Sequence, residues 1–206
     1  MAQGDGGEQY FSSSPESPDV RRSLHLELRG RDVTVETSNG VFSAHRLDLG
    51  TSVLLRHAPE PPLRGTLLDL GCGWGPLSLT MALESPEASV WAVDVNERAV
   101  ELTARNAASN SAPNVHAVLA DAVPEDLRFD LIWSNPPIRV GKEALHALLM
   151  SWLPRLNPSG TAYLVVQRNL GSDSLLAWLS SALPSFACSK YASSKGYRVI
   201  EVRRTA

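Results

Sequence analysis

The chain has 206 residues, 43% of them apolar and 20% charged, enough to bury a core and too apolar for general disorder. No apolar run approaches the roughly 20 residues that span a bilayer, and residues 1–7 show no basic start followed by an apolar stretch, so neither a membrane helix nor a signal peptide is expected. Cys72 and Cys188 stand alone and the histidines show no HxxxH spacing, which argues against a disulfide framework or a structural metal and leaves a reduced, cytoplasmic protein as the expectation.

Residues 1–20 are rich in Gly, Ser and Pro and predict a flexible arm, with Tyr10-Phe11 as its apolar pair. Alternation in Leu24-His25-Leu26-Glu27-Leu28-Arg29 and in Val33-Thr34-Val35-Glu36, about a Gly30-Arg31 turn, predicts a hairpin over 23–37. Residues 42–48 lead into Gly50-Thr51 and a short helix over 52–57, which Pro59, Pro61 and Pro62 end. From Gly65 strands and helices alternate. Strand 66–70 precedes helix 76–84, and strand 89–95 precedes helix 97–108, with Asn96 as its N-cap. Strands 115–119 and 129–133 follow, then a helix over 142–153 that Pro154 stops. Strand 160–166, helix 174–183 and a hairpin of 186–192 with 197–203 close the chain. This order predicts an α/β, Rossmann-like fold, a mainly parallel seven-stranded sheet flanked by helices and ended by an antiparallel hairpin. Without repeats or a long linker, residues 21–206 read as a single domain with its core over 65–206.

The net charge of −3 is unevenly placed. Asp5, Glu8, Glu16 and Asp19 give residues 1–20 a charge of −4, so the remainder is about +1. Lys190, Lys195, Arg198, Arg203 and Arg204 face Glu201 alone in the last stretch, and read equally as a phosphate-binding surface or as solvated strand charges.

The strongest local signal is Leu68-Asp69-Leu70-Gly71-Cys72-Gly73-Trp74-Gly75-Pro76 at a strand-to-helix junction. Glycines there let a ligand approach the main chain, and the amides opening the next helix face it with partial positive charge. The spacing is GxGxG rather than the GxGxxG of a dinucleotide fingerprint. Asp94, at the end of the next strand, is placed to accept from ribose hydroxyls, so the pattern favours S-adenosylmethionine over NAD. The second signal is Ser134-Asn135-Pro136-Pro137-Ile138 after a later strand. Consecutive prolines fix the backbone and remove N–H donors, leaving carbonyl acceptors, and Asn135 adds another. Acceptors in this arrangement suit an –NH2 group conjugated to a ring or amide, aimed at an activated methyl. Cys72 reads as a packing residue, and Trp91, Trp133, Trp152 and Trp178 as core rather than base-stacking.

Asp69 to Gly75, Ala92-Val93-Asp94-Val95-Asn96 and Asn135-Pro136-Pro137 together resemble the class I methyltransferases of the small methyltransferase group, which includes enzymes acting on N2 of guanine in small-subunit ribosomal RNA. The resemblance extends to Tyr10-Phe11-Ser12, to 41–51, to 166–171 and to Lys195-Gly196-Tyr197. It implies that Asp69, Gly71, Gly73 and Gly75 line the methionine part of S-adenosylmethionine and that Asp94 holds the ribose. Val95 and Asn96 would then lie beside the adenine, with Asp121 and Ala122 at its edge, and Thr51 would help cap the pocket. Asn135 would bridge cofactor and substrate, Pro136 would be the second acceptor, and Pro137, Ile138 and Lys142 would meet the substrate. Ile138 stands where the family usually has Phe or Tyr, so an aliphatic side chain would meet the base in place of a stacking ring. The reading is an N-methyltransferase acting on ribosomal RNA, with a protein glutamine amide or adenine N6 as alternative acceptors. A catalytically inactive cofactor-binding or ribosome-associated protein, and an NAD-dependent oxidoreductase, are the readings of another class.

Overall fold

The computed structural model describes residues 18–205, so most of the expected N-terminal arm and the Tyr10-Phe11 pair lie outside the described residues. In chain order the elements are β1 (Arg21–Leu28), β2 (Arg31–Ser38), α1 (Leu49–His57), β3 (Arg64–Leu70), α2 (Pro76–Glu84) and β4 (Glu87–Asp94). Then come α3 (Glu97–Ser109), β5 (Val115–Leu119), β6 (Phe129–Ser134), α4 (Lys142–Trp152), β7 (Leu156–Gln167), α5 (Ser172–Ala182), β8 (Phe186–Ser194) and β9 (Tyr197–Arg204). Short 3-10 turns follow β5 (Ala120–Ala122), β6 (Ile138–Val140) and β7 (Arg168–Leu170).

Seven strands form one sheet in the order β5-β4-β3-β6-β7-β9-β8, and β1 pairs with β2 separately. The first five are parallel, while β9 runs antiparallel to both β7 and β8. The chain builds outward from β3 in one direction through β4 and β5, then returns to the other side of β3 with β6. The strand order therefore reverses between β3 and β6, the place where open α/β sheets bind ligands. Leu70 and Ser134 are register partners there, and the Ser134 hydroxyl donates to the Leu70 carbonyl at 2.7 Å.

Each face of the sheet has its own core. Leu67, Leu131, Trp133, Val165 and Val199 pack with α1, α2 and α3, and the hairpin's Leu28, Val33 and Val35 join the same cluster. Leu68, Ile132, Leu164, Ile200 and Val202 pack with α4 and α5 on the other face. This is what period-2 alternation on a doubly covered sheet produces.

Several boundaries differ from the sequence expectation. The hairpin turn is Arg29-Gly30, not Gly30-Arg31, because Leu28 pairs with Arg31 and both turn residues take positive φ, 51° and 81°. α1 begins at Leu49 rather than 52, since the Asp48 carboxylate caps it by accepting from the Thr51 amide at 3.0 Å. β7 starts at Leu156, drawn into the sheet by pairing with Phe129. Trp133 and Trp152 are core residues as expected, and so is Trp74 of the glycine turn. Trp178 is only half-buried and stacks on His146 at 3.5 Å between ring centres. Of the basic C-terminal stretch, Arg198 is buried and ion-paired with Asp173, and Arg204 donates to the Leu156 carbonyl, so neither is a free surface charge. Among the described residues no helix is long and apolar enough to cross a membrane.

Candidate cofactor and acceptor site

The glycine turn after β3 is tied to the neighbouring strand: the amides of Gly71 and Cys72 both donate to the Val93 carbonyl, at 2.8 and 3.0 Å. Gly71 and Gly73 have positive φ, and a side chain on either would project into open space, the side on which a cleft lies. Gly75 differs. A Cβ there would sit 2.9 Å from the Thr103 side chain, so this glycine permits close packing of the turn against α3 rather than lining the cleft. Cys72 is buried, accepts from the Thr103 hydroxyl at 3.5 Å, and has its thiol pushed up chiefly by burial, which removes any nucleophilic role.

Asp69, the last polar residue of β3, is fully buried. Its Oδ2 accepts from the Ser78 amide at 2.9 Å and from the Ser78 hydroxyl at 2.5 Å, whereas Oδ1 has no partner. Burial pushes this carboxyl up to about 7, against the Ser78 bonds and with some help from Asp94. Asp69 also borders the cleft. A buried carboxylate with one oxygen unsatisfied on a cleft wall calls for a cationic or donor ligand group. The amino group of a methionine moiety is such a group. Asp94 accepts the Gly73 amide on Oδ2 and the Asn96 amide on Oδ1, each at 3.0 Å. Each oxygen retains a lone pair for a ribose hydroxyl, and burial raises this pKa as well. Next to it Val95 is 46% exposed, an apolar surface available to an adenine ring. Asp121 and Ala122, also exposed, sit on the 3-10 turn after the adjacent strand β5. Asp69, Gly71 and Gly73 line the cleft, and Asp94, Val95, Asp121 and Ala122 lie beyond its lining at the ends of β4 and β5, with surface left for a ribose and an adenine. Asn96 is the exception, because its side chain is spent: Oδ1 caps α3 and Nδ2 donates to the Gly40 carbonyl at 2.8 Å.

Across the strand reversal lies Asn135. Its Nδ2 donates to Asp48 Oδ2 at 2.8 Å and to the Thr51 hydroxyl at 3.1 Å. Both donors of the amide group are therefore turned toward the start of α1, and Oδ1 is left free on the cleft side. The buried Pro136 keeps its carbonyl without a donor among the described residues, while that of Pro137 accepts from Val140. Two acceptors adjacent in the chain are thus unsatisfied, and Asn135 shares the cleft with the glycine turn. Ile138 is half-buried against the α4 and α5 side of the core, and Lys142 is exposed at the head of α4.

The structure brings Thr51, Asp69, Gly71, Gly73 and Asn135 to one cleft and adds residues to which the sequence reading gave no role, among them Asp48 and Phe42. The signal for Asp48 was present as an Asp three residues before Thr at a helix start, the N-cap spacing. Phe42 is 48% exposed at the cleft, and nothing in its local pattern distinguishes it from a hairpin-to-helix linker. Among the described residues no cluster of His, Cys, Asp or Glu would hold a metal ion.

Comparison with known proteins agrees with this geometry. The family model for the methyltransferase small domain matches residues 32–201. The Bacillus subtilis (strain 168) protein YbxB, itself uncharacterized, is 34% identical over 96% of this chain and 98% of its own length. A ribosomal RNA small subunit methyltransferase C from Citrobacter koseri is 37% identical over 68% of this chain, which spans 42% of that protein. Among solved structures, a T. thermophilus 16S rRNA N2 G1207 methyltransferase in complex with S-adenosylmethionine and guanosine superposes with a TM-score of 0.76 at 26% identity. That match covers 91% of this chain and 51% of the other. The chain belongs to the small methyltransferase domain family and is a class I S-adenosylmethionine-dependent methyltransferase.

Proposed function

We propose that the protein methylates the exocyclic N2 amino group of guanine in ribosomal RNA of the small subunit, acting in the cytoplasm with residues 21–206 as one catalytic domain. The observation that carries this reading is Asn135 on the cleft wall opposite Asp69 and Gly71–Gly73, its amide donors engaged and its Oδ1 free, with the unpartnered Pro136 carbonyl next to it in the chain. When bound, S-adenosylmethionine supplies a methyl group already activated on a positively charged sulfur.

The remaining work is positional. Asn135 Oδ1 and the Pro136 carbonyl accept the two N–H groups of the substrate amine, which holds its nitrogen lone pair out of conjugation and toward the methyl. As nitrogen gains its fourth bond it becomes cationic, and the same acceptors stabilise that charge. They hold the surplus proton until it passes to solvent. Because Nδ2 is pinned by Asp48 and Thr51, the Asn135 carbonyl is oriented before substrate arrives. The T. thermophilus N2 G1207 methyltransferase solved with guanosine supports guanine as the base, and the small subunit methyltransferase C relatives support ribosomal RNA, although this chain spans only about two fifths to half of the length of these proteins.

Transfer of labelled methyl to small-subunit RNA, followed by mass spectrometry of the nucleosides, tests the reading. N2-methylguanosine is expected. Label found only in a protein glutamine amide, or only on adenine N6, overturns the substrate assignment and leaves the chemistry. Asn135→Ala is expected to lower turnover about 100-fold while S-adenosylhomocysteine still binds.

A further inference from the structure

The residues described so far hold a base and a cofactor, yet an RNA substrate also brings a phosphate with every nucleotide. Strands β6, β7 and β9 are consecutive in the sheet, so three connections stand side by side along its carboxyl edge. These are the turn after β6, the turn after β7 and the hairpin turn joining β8 to β9, a row roughly 10 Å long at two strand spacings. Each carries an exposed cation: Arg139 in the first, Arg168 in the second and Lys195 in the third, with Lys142 just beyond Arg139 at the head of α4.

The row is tied together and to the acceptor site. The Arg168 amide donates to the Gly196 carbonyl at 2.8 Å, which joins the second connection to the third. Burial and the Asp48 carboxylate hold the Tyr197 phenol above its usual value, while the Arg139 guanidinium acts in the opposite sense. The Tyr197 ring in turn lies against Gly50, beside the Asp48 carboxylate that pins Asn135.

These four cations have no carboxylate partner among the described residues, whereas Arg21, Arg29, Arg64, Arg105 and Arg198 are all ion-paired. The acids close to the row are engaged elsewhere: Asp48 accepts from Asn135, and Asp173 pairs with Arg198. Glu143, exposed on the first turn of α4, is the one that leaves some local counter-charge. Other exposed cations without an ion pair include Arg46, two residues before Asp48, and, at the distal ends of α1 and β9, Arg56 and Arg203. The linear basic stretch at the C-terminus is thus not the surface in question. A composite of three connections is.

We infer that Arg139, Arg168 and Lys195, with Lys142, grip successive backbone phosphates of a single RNA strand whose target base enters the Asn135–Pro136 site. The inference rests on the RNA reading above and names how that substrate is held. A single strand fits because the cations follow one row along the sheet edge, starting at the turn after β6 that also carries the acceptors, and because the base must leave any stack to reach them. Phosphate contacts also compensate for Ile138, which offers a base less stacking than an aromatic ring.

The test measures binding of a short fluorescein-labelled single-stranded RNA by anisotropy over a salt series, with S-adenosylhomocysteine present. The variants are Arg168→Ala, the combined Arg139→Ala, Arg168→Ala and Lys195→Ala, and the controls Arg56→Ala and Arg203→Ala. Each lost contact to a single strand is expected to reduce the slope of log affinity against log salt by about 0.7, and the triple variant by about 2. Affinity of the triple variant falls at least tenfold at moderate salt, KM for RNA rises with kcat within about twofold, and the controls match wild type. An unchanged S-adenosylhomocysteine affinity shows that the triple variant is folded; if it is not, Arg168→Ala alone carries the comparison. Wild-type slope in the variants overturns the inference and leaves RNA methylation standing. Equal loss in the controls overturns it as well, since the field would then be diffuse. Competition by polyglutamate as effective as by RNA assigns the row to an acidic protein instead. Failure of wild type both to bind and to methylate RNA removes the inference together with the function it rests on.

Discussion

At the scale of single residues, the site depends on side chains that orient other side chains. Asp48 Oδ2 takes two donors, the Thr51 amide that starts α1 and the Asn135 amide that must face away from substrate. Asp48→Ala removes both. It is expected to lower kcat roughly 10- to 100-fold with S-adenosylhomocysteine affinity within about threefold, because the lost interaction positions the acceptor rather than the cofactor. Asp48→Asn keeps an oxygen at that point and an N-cap of equal quality, and steady-state kinetics should show most of the activity restored. Asp69 governs the pH response. Its carboxyl titrates at about 7 in the free protein, and its empty Oδ1 needs negative charge to hold a ligand ammonium group. The bound cation favours the ionised form, so S-adenosylhomocysteine affinity is expected to fall about tenfold from pH 8 to pH 6, a loss that calorimetry at the two values checks. Stability of the free protein runs the other way. Folding raises this pKa above the ordinary carboxylate value, so the folded state binds the proton more tightly than the unfolded chain. The Asp69 contribution to stability is therefore greatest below about pH 4 and is lost as pH rises from about 4 to about 7.

At the scale of elements, the join between the N-terminal hairpin and the sheet domain rests on two asparagines of α3. Asn106 Oδ1 accepts the Glu36 amide at 2.7 Å, and its Nδ2 donates to the Glu36 carbonyl at 2.9 Å and the Trp74 carbonyl at 2.8 Å. One turn later Asn110 repeats the pattern, accepting from the Thr34 amide at 3.1 Å and donating to the Thr34 carbonyl at 2.8 Å. The spacing of four residues puts both amides on one helix face, where they satisfy the open edge of β2 as a neighbouring strand would. Because Asn106 also reaches Trp74, the hairpin and the glycine turn share one buried polar link. Asn106→Ala leaves three backbone groups without partners and is expected to cost roughly 3 kcal/mol in urea denaturation. Asn110→Ala, at a half-exposed position where water can replace the bonds, is expected to cost about 1 kcal/mol or less. At the tip of the same hairpin Arg29 makes an ion pair with Glu84 at 3.0 Å and lies over the Trp133 ring, a second anchor on the core beneath α1 and α2.

For the whole molecule, the fold gathers at one edge of the sheet the groups proposed to hold the cofactor and the acceptor. The reversal of strand order leaves a crevice between the turns after β3 and β6, the cofactor side being built from β3, β4 and β5 and the acceptor side from β6 and α1. Ligand that spans this crevice binds the folded state alone. Saturating S-adenosylhomocysteine at about 100 times its Kd should therefore add roughly 2.7 kcal/mol, or about 5–10 °C in Tm for a domain of this size. NAD should produce no shift, since the turn has GxGxG spacing, with Pro76 where the dinucleotide fingerprint places its third glycine. A thermal-shift comparison of the two ligands decides it, and equal shifts would contradict the cofactor assignment.

How much of this was written in the sequence differs by level. Alternating strand and helix periods, the glycines between Asp69 and Pro76, Asp94 at a strand end and the paired prolines after Asn135 determined the fold class, the cofactor and the chemistry, because each is a local pattern with a local physical cause. What the sequence did not determine was which of those groups are free to act. Asn96 and Gly75 belong to the right motifs, yet the folded chain spends one on capping and a carbonyl and presses the other against Thr103. Arg198 looked like a surface cation and is buried against α5. Conversely, Asp48 and Asn135 are 87 residues apart, and the row of Arg139, Arg168 and Lys195 exists only once β6, β7 and β9 lie side by side. Motifs record what a residue is able to donate or accept. Whether that capacity is already used depends on distant partners that only tertiary structure brings within a few ångströms.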